Sequence, residues 1–265
     1  MAFEGYQTLA FSREGRVLTI MMNRPEVMNA VSHELHVELG RVFIEAADDP
    51  NTDIIVLTGA GAAFSAGGDL TWMADMAAGR RGPFVEEVRV MRRIIHGVLD
   101  CPKPIIAKVN GDAIGFGASI ALLCDIVIAA DTAHFADPHV KLGLVAGDGG
   151  ALIWPQLIGY AKARHYLLTG DAIGATEAER LGLITFAVPA DDLDAFVATY
   201  AKKLARGAQT AIRYTKAATN LPLRQLFSVV GETAIAYEGL TTYTADFREG
   251  VTAFIEKRRP EFGKD

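Results

Sequence analysis

Three features of this 265-residue sequence predict an α/β fold. The runs Ile54–Thr58, Ile105–Val109 and Ile126–Ala130 have the length and branched apolar content of buried strands. Glycine-rich loops, GAGAAFSAGGDL and NGDAIGFG, follow the first two. Stretches with apolar residues three and four apart separate the runs, as amphipathic helices do. Strand, glycine loop and helix in alternation argue for stacked repeating units, and 50% hydrophobic residues suffice for one large core with an appendage.

The opening YQTLAFSREGRVLTIMMN alternates as two strands would, with a turn at Arg13-Glu14-Gly15. A helix after Ser32 gathers Leu35, Leu39, Val42, Phe43 and Ala46 on one face. Another begins near Leu70, with Asp69 placed to cap it. Phe84, Val88, Met91, Ile95 and Val98 predict a helix over Phe84–Leu99, ended by Pro102 and Pro104. Beyond Leu144 the pattern is largely helical. Thr176 and Glu179 have capping-box spacing, LITFAVP reads as a short strand, and helices are expected over Asp191–Arg206, Leu223–Leu240 and Thr244–Lys257. Phe227, Val229, Val230, Tyr237 and Phe247 give these last helices apolar residues on more than one face, as at a subunit contact.

A net charge of −6 with scattered Lys and Arg argues against nucleic-acid binding. Cys101 and Cys124 form neither a disulfide framework nor a zinc pattern. The N-terminus lacks signal-peptide character, and the longest apolar run, Ala113–Cys124, is too short to span a membrane. The expectation is a cytoplasmic protein with no membrane partner.

Neither glycine loop is a dinucleotide fingerprint, because Phe64 and Ile120 stand where the third glycine belongs, and no Gly-Lys-Ser/Thr follows for a phosphate loop. Two such loops can instead direct free backbone N–H groups at one oxyanion. NRPEVMNAVS, AFSAGGDL, the stretch PKPIIAKVNGDAIGFGASIALLCDIVIAADTAHFADPHVKLGL and the terminal FIEKRRPEF together resemble the crotonase, or enoyl-CoA hydratase/isomerase, superfamily. The resemblance covers nearly the whole chain. It implies a spiral of repeated ββα units over residues 1–195. A helical region over 196–265 would build trimers, often stacked into hexamers, and cap the CoA. It implies an acyl-CoA or enoyl-CoA thioester as substrate, with CoA part of that substrate, no separate cofactor and no metal. The oxyanion donors would be the N–H groups of Gly68 and Phe116. Val27, Ala66, Gly68, Asp69 and Leu70 would lie along the CoA, and Lys257 would reach the phosphates bound by an adjacent subunit.

The typical hydratase of the family uses two glutamates, whose positions here hold Ser119 and His139. His139 and Asp148 are the expected replacements, the imidazole titrating near neutrality and Asp148 orienting it and raising its pKa. Plainer roles stay open: Asp148 as a helix N-cap, His139 as the partner of a carbonyl, Ser119 as a small helix residue facing the pocket. His33, His36, His96, His134 and His165 have no acidic partner at telling spacing and read as surface or structural. NRPEVMNA lacks the Lys or Arg that relatives often carry between Pro25 and Asn29. Met73, Met76, Phe84 and Trp154 suggest an apolar acyl pocket, with a core role equally open. Hydration or isomerisation is the default function. The alternatives are a lyase, decarboxylase or hydrolase using His139 and Asp148, or a non-catalytic acyl-CoA binder, and catalysis requires that both side chains face the cavity.

Overall fold

The computed structural model describes residues 3–80 and 84–263. Strands β1 (Leu9–Glu14) and β2 (Val17–Met22) pair as an antiparallel hairpin with Glu14 opposite Val17. The turn is therefore Gly15-Arg16, and Arg13 and Glu14 belong to the strand; Gly15, at φ +57°, supplies the left-handed backbone a tight hairpin needs. Helix α1 (His33–Asp48) starts as expected, the Leu35 N–H donating to Ser32 Oγ at 3.3 Å. Strand β3 (Ile54–Gly59) is buried at every position. Helix α2 (Leu70–Ala77) is capped by Asp69, whose Oδ1 accepts the Thr71 N–H at 2.9 Å.

There follow α3 (Val85–Asp100), β4 (Ile105–Val109), β5 (Ala113–Ile114), α4 (Phe116–Leu123), β6 (Ile126–Ala130) and β7 (His134–Ala136). The remainder comprises α5 (Gly150–Thr169), β8 (Ile173–Gly174), α6 (Ala175–Leu181), β9 (Phe186–Val188), α7 (Leu193–Ala205), α8 (Gln209–Leu226), α9 (Glu232–Thr241) and α10 (Ala245–Ile255).

Six strands form one sheet in the order β1-β2-β3-β4-β6-β9, parallel throughout except for the β1–β2 hairpin. A second sheet has the order β5-β7-β8. Thus β4–β5–α4 and β6–β7–α5 are successive ββα units, each giving one strand to each sheet. Helix α7 covers β2, β3, β4 and β6, while α1 packs on α3. Parallel strands need cover on both faces, which accounts for the unbroken apolar runs from which they were read.

Two expectations fail. Helix α6 begins at Ala175 with Gly174 at its N-cap and no side-chain cap, so Thr176 lies inside the helix and the capping box does not form. The helix expected from Leu223 starts at Gln209 and passes through Pro222 and a five-residue π-turn, Phe227–Gly231, into α9. Proline forfeits one helical hydrogen bond there, but Leu223 and Leu226 pack on the core and Lys216 anchors the helix.

That anchor belongs to a buried network. Lys216 Nζ donates to Lys103 O at 2.9 Å and to Asp125 Oδ2 at 2.7 Å, and Asp125 Oδ2 also takes the Ile105 N–H at 2.7 Å. Lys103 Nζ donates to Ala46 O at 2.7 Å and Asp49 O at 2.6 Å, satisfying carbonyls that the end of α1 leaves open. Burial pulls the Lys103 pKa below its ordinary value, and three hydrogen bonds through the two lysines join α1 to β4 and α8. Lys103→Met is expected to lower the unfolding free energy by about 1–3 kcal/mol, because two buried carbonyls lose their donor. Urea denaturation measures this, and an unchanged midpoint would contradict it.

Candidate active site

The site is built where two glycine loops touch. Ser65 bridges Ala113 in parallel, the Ile114 N–H donates to Ser65 O at 2.9 Å, and the Val31 N–H donates to Gly67 O at 2.7 Å. Gly67 has φ +85°, and a Cβ there would lie 2.7 Å from the Ile114 carbonyl oxygen. Only glycine permits both that backbone and that approach. Gly115, at φ +54°, turns the second loop into α4. Among the described residues the N–H of Gly68 finds no acceptor, and that of Phe116, first in its helix, has no intrahelical acceptor. Both residues line one cavity of about 550 Å³.

His139, in a short 3-10 turn (His139–Leu142) after β7, lines the same cavity. Its Nδ1 bonds Asp137 Oδ1 and its Nε2 lies 3.2 Å from Asp148 Oδ2. Ser119 Oγ donates to Asp148 Oδ1 at 2.8 Å. Asp137, Asp148 and Ser119 are all buried. Burial by itself would depress the imidazole pKa, but the Asp148 and Asp137 carboxylates outweigh it and hold His139 well above its ordinary value. Burial acts on Asp148 in the opposite sense, and the His139 charge and hydrogen bond overcome it, keeping Asp148 below the usual carboxylate value.

Asp148 acts on His139 as expected, raising its pKa, and Asp137 at the other ring nitrogen adds to the effect. Two plainer readings are corrected by this geometry. Asp148 is not a helix cap, since Gly149 takes the N-cap position of α5. Ser119, fully buried, does not line the cavity and acts by positioning Asp148.

Val27, Ala66, Gly68, Asp69, Leu70, Phe116, His139 and Asp148 all line the cavity. Asp69 also accepts both Arg24 guanidinium nitrogens at 3.1 Å, which together with its cap gives it a structural role. Lys257 lies outside, beside a groove shared with Thr71, Asp75 and Arg258. Met73, Met76 and Phe84 line the cavity; of the segment between the last two, residues 81–83 lie outside the described residues. Trp154 is core, fully buried against Tyr166.

Functional residues were also missed. Asp137 stands two positions before His139, where a short polar turn brings carboxylate and ring together. His36 and Glu87 pair at 3.2 Å, and His33 reaches Glu87 at 3.5 Å. His96 pairs with Asp100 one helical turn on, and His134 with Asp112, so four of the five histidines read as unpaired have acidic neighbours. Glu238 of α9, buried at 5% exposure, lines the cavity together with His36 and Glu87. The available signal was a titratable residue on an otherwise apolar helix face, which His36, Glu87 and Glu238 share.

Asp137, His139 and Asp148 bring ligand atoms within 4.8 Å of one another. Both ring nitrogens of His139 already face a carboxylate oxygen, and a cation would have to displace a ring proton to bind there.

Residues 12–265 match the family described as enoyl-CoA hydratase/isomerase. A probable enoyl-CoA hydratase of Mycobacterium bovis is 38% identical over 262 residues, covering 97% of this chain and 98% of that protein. The crotonyl-CoA hydratase of Syntrophomonas wolfei is 34% identical over 259 residues, covering 97% and 98%. The crystal structure of an enoyl-CoA hydratase/isomerase from Mycobacterium paratuberculosis superposes with a TM-score of 0.89 at 38% identity, covering 94% of this chain and 99% of that one. The α/β spiral with a C-terminal helical region is therefore shared with a solved relative.

A raised histidine pKa has a definite sign in stability. The stabilisation is fully present below the unfolded-state value of about 6.5 and is lost as pH rises through the folded value. NMR of the His139 ring is expected to show both nitrogens protonated at neutral pH. The unfolding free energy should fall above pH ~6.5, by at most about 1.4 kcal/mol per pH unit from this group. A ring that titrates at or below its ordinary value would contradict the arrangement.

Proposed function

The chain belongs to the enoyl-CoA hydratase/isomerase family and is an acyl-CoA enzyme of that type; we propose that it hydrates or isomerises an enoyl thioester through a stabilised enolate, with Asp148 and His139 in place of a glutamate pair. One observation carries this reading: His139 and Asp148 line the same cavity as the unpaired N–H groups of Gly68 and Phe116. CoA would pass Val27, Ala66, Asp69 and Leu70, placing the thioester oxygen on that N–H pair.

Hydration then conserves charge in the cluster. Asp148 takes a proton from the water whose oxygen bonds to the β-carbon, and the double-bond electrons move onto the thioester as an enolate. The enolate returns them to the α-carbon, which takes a proton supplied by the charged His139. Asp148 passes its new proton to the ring, and the cluster ends as it began. Ser119 and Asp137 hold the two partners in place.

Cleavage of a β-hydroxyacyl thioester is the second reading, favoured by the charge already on the resting ring. Asp148 would take the hydroxyl proton as the Cα–Cβ bond breaks, a carbonyl compound would leave, and His139 would protonate the remaining enolate. We place subunit contacts of a trimer on α8, α9 and the π-turn between them, whose exposed Tyr214, Leu221, Val229, Tyr237 and Leu240 carry apolar surface.

Mass spectrometry of enoyl-CoA and acyl-CoA thioesters incubated in heavy water tests the chemistry. Hydrated product or deuterium at the α-carbon is expected, slowed by about 10²–10⁴-fold in Asp148→Asn. Thioesters returned unchanged and unlabelled would contradict it. Proline is tolerated at the first position of a helix, so Phe116→Pro removes one oxyanion donor with the helix retained. Its kcat is expected to fall about 10²–10³-fold below that of Phe116→Leu, which keeps the N–H. Equal rates for the two variants would exclude that donor.

A further inference from the structure

Two buried polar atoms on residues lining the cavity have unmet hydrogen-bonding capacity. Among the described residues Glu238 Oε2 and His36 Nε2 have no partner, and the two residues are 5% and 1% exposed. Much of the wall around them is apolar, with Met73, Met76, Phe84, Met91 and Leu144. His36 is held by Glu87 at Nδ1 and stands edge-on to Phe116, whose N–H is an oxyanion donor. Glu238 lies against the Gly147 turn beside Asp148; a Cβ at Gly147 would be 2.7 Å from Glu238 Oε2.

Both atoms are already out of solvent contact, so a pure hydrocarbon chain leaves them without a partner, whereas a chain bearing an oxygen can supply one. A hydrogen bond gained in this way strengthens binding by about tenfold. Burial, followed by the nearby Asp148 charge, pushes the Glu238 carboxyl well above the usual carboxylate range, so it keeps its proton and has an O–H to donate. An O–H donor needs an acceptor, and the Asp148 charge disfavours an anionic one.

We propose that the acyl group selected by this site carries a neutral oxygen, a ketone or hydroxyl, that accepts a hydrogen bond from Glu238, with His36 Nε2 as a second polar contact. The proposal rests on the acyl-thioester reading above and names its substrate class. Glu238 is on this account a specificity residue. Its chemistry is costly to the fold, since a buried group without a partner in the empty cavity destabilises it, and it is repaid only when the oxygenated chain binds.

Calorimetric titration of butanoyl-CoA, 3-hydroxybutanoyl-CoA, 3-oxobutanoyl-CoA and CoA itself into the wild type, Glu238→Gln and Glu238→Leu tests it. Butanoyl-CoA, 3-oxobutanoyl-CoA and CoA undergo neither proposed reaction, so their binding is read separately from catalysis; 3-hydroxybutanoyl-CoA, the product of hydration, is titrated in the Asp148→Asn background as well. At least one oxygenated thioester is expected to bind the wild type about tenfold or more tighter than butanoyl-CoA. Glu238→Gln, which keeps a donor, should retain most of that preference. Glu238→Leu should abolish it while unfolding at the same or a higher temperature. Equal affinities in the wild type, or a preference that survives Glu238→Leu, would overturn the proposal; the wild-type comparison decides even where a variant fails to fold. Absent α-carbon exchange with thioester binding intact would overturn the enolate chemistry alone. Failure of every thioester to bind would overturn both.

Discussion

The close contact between two glycine loops is the constraint on which the rest of the site depends. Gly67 sits against the Ile114 carbonyl, and the Ser65–Ala113 bridge fixes the loops in register. The parallel pairing of β3 with β4 brings them together, and Val31, bridging to Gly68, ties the start of α1 to the same point. Two N–H groups are left without partners at a place where the fold has no carbonyl to offer them. An unpaired buried donor costs stability unless a ligand supplies the acceptor. On the proposed reading the thioester oxygen is that acceptor, and its demand for hydrogen bonds grows as it takes on charge.

A second constraint is the placing of charge in a largely apolar cavity. Asp148, Glu238 and His139 lie close enough to shift one another, with Asp137 also beside the ring. The arrangement drives their pKa values apart: His139 and Glu238 are raised well above their ordinary values and Asp148 is lowered. Environments that drive neighbouring groups apart in this way define acid and base roles at one pH. Ser119 Oγ donates to Oδ1 of Asp148, the oxygen other than the one that faces His139, and fixes the carboxylate's orientation.

The strands of the six-stranded sheet and most helices were legible because buried strands leave apolar runs and helices leave a spacing of three and four; β5, β7 and β8, two or three residues long, leave no such run. The helix expected from Leu223 begins at Gln209 and runs through Pro222, with Leu223 and Leu226 packed on the core. At the site, the glycine loops, His139 and Asp148 could be read from local motifs. His36 with Glu87 could not, because the partners are 51 residues apart and meet only when α1 packs on α3. Nor could the ring's charge, which depends on Asp137 and Asp148 approaching opposite nitrogens. Glu238 lies 90 positions beyond Asp148, and no spacing rule connects them.

The central claim is that Gly68 and Phe116 polarise a thioester carbonyl. Infrared difference spectroscopy of butanoyl-CoA, labelled with carbon-13 at that carbonyl, measures this directly on the bound ligand. The account predicts a carbonyl stretch at lower frequency on the enzyme than in water, restored toward the aqueous value in Phe116→Pro. A stretch unchanged or raised on binding would mean that the two N–H groups do not hold the thioester oxygen, and the site's chemistry would have to be sought elsewhere.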